Sequence, residues 1–112
     1  MKEHDDRFYL QHMRTCIANI EDDTSRGRAE FEQNRTERDA VMRNLQLLAE
    51  SSMRLSDETR ARFPDVEWRQ MRKFRNVVVH DYTDIDYDVI WLIVSQHVPA
   101  LKPQIERMLK EL

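Results

Sequence analysis

The sequence contains very few of the residues that interrupt helices. Its 112 residues include one glycine and three prolines, well below the usual share of both in ordinary mixed folds. This scarcity argues against a sheet of many strands joined by tight turns and favours long helices. Apolar residues make up 40% and charged residues 35% of the chain, a balance that is typical of amphipathic helices and too apolar for a disordered protein. We therefore expect one all-α domain over residues 1–112, an antiparallel four- to five-helix bundle.

Cysteine and long apolar runs are scarce as well. Cys16 is the one cysteine, so it cannot form an internal disulfide and nothing requires an oxidising compartment. No apolar run approaches the roughly 20 residues that a membrane-spanning helix needs. The first residues also lack the basic and then apolar layout of a signal peptide. These absences predict a cytoplasmic protein with no membrane segment.

Apolar spacing and capping residues predict where the helices lie. Two stripes of apolar residues at three- and four-residue spacing mark two long helices in the first half of the chain. Ser56, Asp65 and Asp86 are interpreted as N-caps of later helices, and Val98-Pro99 as a boundary or kink. The predicted helices are Asp6–Asp23, Arg35–Leu55, a short helix that follows Ser56 and ends at Phe63–Pro64, Val66–His80, one that begins after Asp86, and one from Pro99 to Leu112.

Positive charge is concentrated in one window. Six basic residues lie between Arg60 and Arg75 against Asp65 and Glu67, a local charge of +4 that leaves −7 on the rest of the chain. Arginine outnumbers lysine by 14 to 4, and the planar guanidinium fork suits phosphate groups. The window therefore indicates a polyanionic partner, although composition alone favours ordinary solvated helix faces equally.

The helix predicted over Val66–His80 separates into two faces when it is projected at about 100° per residue. One face is basic and polar, with Arg72 at its edge, and the other is apolar. Arg75 falls beside Trp68 on the margin of the apolar face, where a charge is costly unless it is paired or directed at a ligand. The basic face comprises Arg69, Lys73, Asn76 and His80, and the apolar face comprises Met71, Phe74 and Val78. A strand at Asn76–His80 is the alternative, because three valines in a row are β-branched.

The segment Arg72–Tyr82 holds the candidate chemistry. His80 lies about 140° from Arg75 on a regular helix, so both reach one atom only if the helix unwinds or two chains meet. An arginine and a histidine without a metal suit RNA cleavage by internal transfer, because histidine moves a proton and arginine neutralises the phosphoryl charge.

Two other interpretations of His80 remain open. It could be a structural residue at the negative end of its helix. It could also hold a hard divalent cation together with nearby carboxylates, although the glycine and closing glutamate of a calcium loop are missing. Those carboxylates are Asp81, Asp84, Asp86 and Asp88.

The run Arg75-Asn76-Val77-Val78-Val79-His80-Asp81-Tyr82 has the pattern Arg-x4-His-x-Tyr. It resembles the signature of the HepT-like toxins, RNA-cleaving helical domains of the HEPN superfamily. The similarity extends over most of the chain and is weaker before Asp39. The other matching segments are Asp39–Leu45, Arg54–Ser56, Pro64 to Arg69, Tyr82 to Asp86, Val89–Trp91 and Val98–Leu101.

This resemblance implies a metal-independent endoribonuclease without a cofactor. Arg75 and His80 would be its catalytic pair, with Asn76 orienting them and Tyr82 completing the site. Arg72 and Lys73 would be supporting residues of the same site. RNA would be the substrate, and the toxin would be a homodimer in which the two motifs face each other.

The resemblance also implies a partner and a mode of control. Such toxins are paired with an MntA-like nucleotidyltransferase antitoxin in type VII toxin–antitoxin systems. That antitoxin would transfer AMP to Tyr82 and so silence the toxin. The alternative is a non-catalytic helical module that binds a nucleotidyltransferase partner or a nucleotide and cleaves nothing.

Overall fold

A computed structural model describes residues 4–80 and 86–112, with the side chains of residues 77–80 left out. All secondary structure in these ranges is helical. The helices are α1 (Asp6–Asp23), α2 (Arg28–Gln33), α3 (Arg35–Arg54), α4 (Asp57–Arg62), α5 (Trp68–His80), α6 (Tyr87–Leu92), a π-helical turn (Ile93–His97) and α7 (Val98–Glu111).

Four helices, α1, α3, α4 and α6, begin at a side chain that caps free backbone N–H groups. Asp5 accepts a hydrogen bond from the backbone N–H of Phe8 at 2.9 Å, and Ser56 accepts one from Thr59 at 3.1 Å. Asp86 accepts from the second and third residues of α6. Each bond satisfies a donor that has no partner within the helix. The predicted caps Ser56 and Asp86 are therefore confirmed, as are the bounds of α1.

The four longest helices build the core. α1 runs antiparallel to α3 and to α7, because the start of α1 contacts the ends of both. Asp6 accepts hydrogen bonds from Ser56, and Arg7 donates one to the carbonyl oxygen of Leu109. The predicted apolar stripes of α1 and α3 are buried. They are Tyr9, Met13, Cys16, Ile17 and Ile20 on α1, and Val41, Leu45, Leu48 and Ser52 on α3, with Leu55 just after it.

Two local predictions are wrong. α5 begins at Trp68 rather than at Val66, and Asp65 is not its cap. The Asp65 carboxylate instead pairs with Arg107 of α7 at 2.7 Å. The helix α2 has no counterpart among the predicted elements. It begins at Gly27, whose φ of 95° favours glycine, and it buries Phe31.

The predicted boundary at Val98-Pro99 takes the form of a π turn. The N–H of Val98 bonds to the carbonyl oxygen of Ile93, five residues earlier. Pro99 has no N–H to continue the ordinary four-residue pattern, so the hydrogen bonds are shifted here while the backbone stays helical. The apolar spacing after Asp86 also predicts that Val89 lies in the core, but this residue is 36% exposed.

None of the helices within residues 4–80 and 86–112 is long and apolar enough to cross a membrane.

Candidate functional site

The helix α5 carries the candidate site along its length. It is α-helical without interruption from Trp68 to His80, so the strand considered for Asn76–His80 is wrong. The helix also does not unwind before its last residue. Since each residue advances about 100° around the axis, Arg75 and His80 occupy positions about 140° apart.

One side of α5 is anchored in the core. Met71 and Phe74 are 2% and 3% exposed, as the apolar face predicted, and α5 packs mainly against α3. Trp68 fixes the start of the helix, because its indole N–H donates to the carbonyl oxygens of Arg60 and Phe63 at 3.2 and 3.1 Å. The predicted third apolar residue, Val78, lies outside the described side chains.

Exposed cations occupy the rest of the circumference of α5, from the side opposite the core to the margin where Arg75 lies. We call this surface the α5 basic face. Its members are Arg69, Arg72, Lys73 and Arg75, and all four are exposed. Asn76 is exposed beside them. No hydrogen bond or ion pair joins any of these five side chains to another residue of the described ranges. Their charge is therefore uncompensated there and available to an anion.

Six of the other thirteen arginines and lysines in the described ranges form an ion pair with an acidic side chain. Arg28 pairs with Glu32 and Asp88, and Lys102 pairs with Glu21 at 3.0 Å. The α5 basic face gathers on a single helix four cations that have no acidic partner in the described part of the chain, which favours an external anion over ordinary helix decoration.

Within one chain, the Arg75 guanidinium does not incur the free-energy cost of burying a charge that was expected at this position. The residue lies at the margin of the apolar side, as its helical position predicted, but its side chain is exposed. Desolvation would follow only if another molecule covered this margin.

The remaining members of the signature cannot be placed as side chains. His80 ends α5 as a backbone position, and its side chain lies outside the described set. Tyr82, Asp81 and Asp84 fall within residues 81–85, also outside it. Their predicted roles stay predictions.

The two described carboxylates of the alternative metal set are already engaged. Asp86 accepts from the backbone N–H groups of Asp88 and Val89 at 3.1 and 3.2 Å. The Asp88 carboxylate pairs with Arg28. Within the described ranges, no three histidine, cysteine or acidic side chains are arranged to hold a metal ion.

The helix α2, which the sequence analysis missed, fixes the start of α6. The ring of Phe31 contacts Tyr87 edge-on at 6.4 Å and Trp91 at 5.6 Å between centroids. The Arg38 guanidinium lies 6.0 Å above the Tyr87 ring, and Arg28 pairs with Asp88. The chain that follows residues 81–85 is therefore held by the region around α2. Gly27 at a helix boundary was the one sequence signal for this element.

Comparison with known proteins places the chain in a family. The family model described as "Ribonuclease HepT-like" matches residues 13–108. A Methanocaldococcus jannaschii protein named "Putative RNase MJ1380" is 39% identical over 77 residues, which cover 69% of this chain and 71% of that protein. "Probable ribonuclease HepT" of Thermococcus cleftensis is 31% identical over 71 residues, 63% of this chain and 64% of that protein.

A longer relative shares nearly the whole chain. It is the Methanocaldococcus jannaschii protein named "Gamma-glutamylcyclotransferase and putative RNase MJ0434", 27% identical over 109 residues. The match covers 96% of this chain and 49% of that protein. No solved structure matches the chain significantly. The family model covers all of α3 and α5 and most of α1 and α7, including the α5 basic face and the Arg-x4-His-x-Tyr run, so the chain belongs to the HepT-like ribonuclease family.

Proposed function

We propose that this protein is a metal-independent endoribonuclease whose catalytic pair is Arg75 and His80. The observation that carries the proposal is the α5 basic face, which leads along one helix to His80 and has no acidic partner within the described ranges. Membership of a ribonuclease family supports RNA as the polyanion. Arg72 and Lys73 would hold the phosphates that flank the cleaved bond, and Asn76 would orient the catalytic pair.

The proposed reaction is an internal transfer at one phosphate. The 2′-oxygen of the ribose attacks phosphorus, and the bond from phosphorus to the 5′-oxygen breaks. His80 takes the proton of the 2′-hydroxyl or gives one to the leaving 5′-oxygen, because imidazole titrates near neutral pH. Arg75 neutralises the charge that develops on the phosphoryl oxygens. A cyclic phosphate and a free 5′-hydroxyl are the products.

The regular course of α5 supports a composite site between two chains. Arg75 and His80 lie about 140° apart on one helix, so a single chain does not readily aim both at one phosphate. We propose a homodimer in which the two Arg72–Tyr82 segments meet near the two-fold axis. Arg75 of one protomer then acts with His80 of the partner subunit.

Substitution of the catalytic pair tests the ribonuclease. Arg75→Ala and His80→Ala should each abolish cleavage of a labelled RNA while the circular dichroism spectrum stays helical. Lys110→Ala is the matched control, because Lys110 is an exposed cation near the end of α7. Cleavage should continue in excess chelator. Full activity of His80→Ala would refute the proposal. A wild-type protein that binds a nucleotidyltransferase partner or a nucleotide and cleaves no RNA would favour the non-catalytic module.

Mixing the two inactive variants tests the composite site. In a mixed dimer, one site combines both substitutions and the other is intact. Random exchange makes about half of the dimers mixed, so about one quarter of wild-type activity should return. If Arg75 and His80 act within one chain, mixing restores nothing.

We further propose that the protein is the toxin of a type VII toxin–antitoxin pair and that an MntA-like nucleotidyltransferase silences it by adding AMP to Tyr82. Each AMP adds a phosphodiester charge of about −1 near the α5 basic face, where it would compete with the RNA backbone for the same cations. After co-expression with the antitoxin, mass spectrometry should find AMP on Tyr82 of the wild-type protein and none on Tyr82→Phe. AMP at another residue would contradict the assignment.

A further inference from the structure

An acidic recess lies between the end of α1 and the start of α3. Its volume is about 410 Å³, and its charged lining residues are Asp22, Asp23, Arg26 and Glu37. Three carboxylates against one guanidinium give it a formal charge of −2. The recess is separate from the α5 basic face, and none of its residues takes part in the proposed cleavage.

Glu37 supplies a buried carboxylate oxygen without a partner. The residue is 8% exposed, and its Oε2 atom has no hydrogen bond within the described ranges. Glu37 occupies the third position of α3, from which a glutamate ordinarily accepts a hydrogen bond from the N–H of the capping residue. Here the capping residue is Asn34, whose N–H already bonds to the carbonyl oxygen of Glu30 at 2.9 Å as the last bond of α2. Asn34 thus ends one helix and begins the next, which leaves Oε2 unsatisfied.

Arg26 compensates this carboxylate only in part. Its Nε atom lies 3.5 Å from the other Glu37 oxygen, Oε1, and its side chain is 70% exposed. The same guanidinium also reaches toward Glu30 at 3.7 Å. Both distances exceed those of a charge-assisted hydrogen bond. Within the described ranges, Oε2 therefore remains a buried acceptor without a hydrogen bond, which is costly, and a second donor could satisfy it if the carboxylate turned toward the recess.

The mouth of the recess adds negative potential. The last turn of α1 contains Asp22 and Asp23 and no basic residue, although the carbonyl end of a helix favours cations. Burial raises the pKa of the Asp23 carboxyl above its usual value, and the neighbouring charge of Asp22 raises it further. A bound cation would relieve this repulsion.

We propose that this recess binds a guanidinium group, either on a free small molecule or on an arginine side chain of another polypeptide. A planar guanidinium presents several N–H donors in a fixed fork, so it can satisfy Glu37 Oε2 and reach a mouth carboxylate together. A bare metal ion fits less well, because no three ligating side chains of the described ranges are arranged around one point.

Guanidinium binding in the recess should stabilise the neighbouring helix starts. It lies where α2 and α3 begin, and α2 holds the start of α6 through Arg28 and Phe31. A guanidinium in the recess would therefore brace the end of the bundle from which α6 starts. The inference concerns a surface that the ribonuclease proposal does not use.

Titration of the 112-residue chain, labelled with nitrogen-15, tests the proposal by NMR. Agmatine and N-acetylarginine amide are the two guanidinium probes, and magnesium chloride is the third. Both guanidinium probes should shift the amides of residues 22–40 saturably, and magnesium should not displace them. Tighter binding of agmatine would indicate a free ligand, and tighter binding of the amide would indicate an arginine presented by a polypeptide.

Glu37→Gln should weaken guanidinium binding about tenfold or more, because a charge-assisted bond is lost. Glutamine is also common at this helical position, so the fold should persist. Asp39→Asn is the matched control, since Asp39 is an exposed residue of the same helix that does not line the recess. If Glu37→Gln fails to fold, Asp22→Asn with Asp23→Asn replaces it. Absence of saturable shifts, equal binding by Glu37→Gln, or displacement by magnesium would overturn the proposal.

Discussion

Neutralising part of the α5 basic face measures how many phosphates it contacts. Arg69, Arg72 and Lys73 are exposed and have no acidic partner within the described ranges, so replacing them with glutamine removes charge without breaking an ion pair there. Glutamine has a helix propensity close to that of arginine and lysine. Arg75 is kept, and His80→Ala in all proteins prevents cleavage of the RNA during the measurement.

The expected effect follows from counterion release. Each cation that neutralises a phosphate of single-stranded RNA contributes about 0.7 to the slope of log affinity against log salt concentration. Removal of three such cations should make the slope shallower by about 2.1 per chain. Between about 50 and about 200 mM salt, that slope alone corresponds to a change in affinity of about 20-fold. The unsubstituted protein should therefore lose affinity with salt about 20-fold more than the triple variant.

Fluorescence anisotropy with a labelled single-stranded RNA, repeated across this salt range, gives the two slopes. Lys110→Gln is the control, because it removes an exposed charge from the last turn of α7. An unchanged slope in the triple variant would refute the assignment of RNA binding to this face. So would a control that flattens the slope by as much as one α5 substitution does.

Three further predictions concern the scaffold. Asp6 accepts hydrogen bonds from the hydroxyls of Ser56 at 2.6 Å and Thr59 at 2.5 Å. Asp6→Ala should therefore lower the free energy of unfolding, measured in urea, by about 2–3 kcal/mol. A loss below about 1 kcal/mol, the contribution of roughly one neutral hydrogen bond, would contradict this. Burial raises the pKa of the Cys16 thiol to about 11. Because the unfolded thiol loses its proton at lower pH, the free energy of unfolding should fall as pH rises from about 9 towards 11. A thiol reagent at pH 8 should label the buried residue only as fast as the protein unfolds. Gly27→Ala should lower the free energy of unfolding by about 1–3 kcal/mol, because a φ of +95° is strained for alanine even though an added Cβ would meet no other atom. An unchanged melting temperature would contradict this and show that the turn relaxes.

The amino-acid sequence was sufficient to predict the long helices and the family. The bounds of α1 and the buried stripes of α1 and α3 follow from apolar spacing, because only one face of a helix can meet the core. Ser56 and Asp86 were recognisable as caps because capping is a local interaction between a side chain and the next three residues. The Arg-x4-His-x-Tyr run and the family were likewise readable from residue identity alone.

Tertiary structure decided whatever depends on residues far apart in the chain. α2 has six residues, too few for a periodic signal or for independent stability, and it is held by contacts of Phe31 and Arg28 with α6. Asp65 has the local features of a cap, but Arg107, 42 residues later, pairs with it instead. Helical projection placed Arg75 on the margin of an apolar face, whereas its exposure depends on which helices pack beside α5. Local sequence patterns predict the angular position of a residue on its helix and the residues that cap the helix. Only the packed chain determines which charges are paired and which remain available to a ligand.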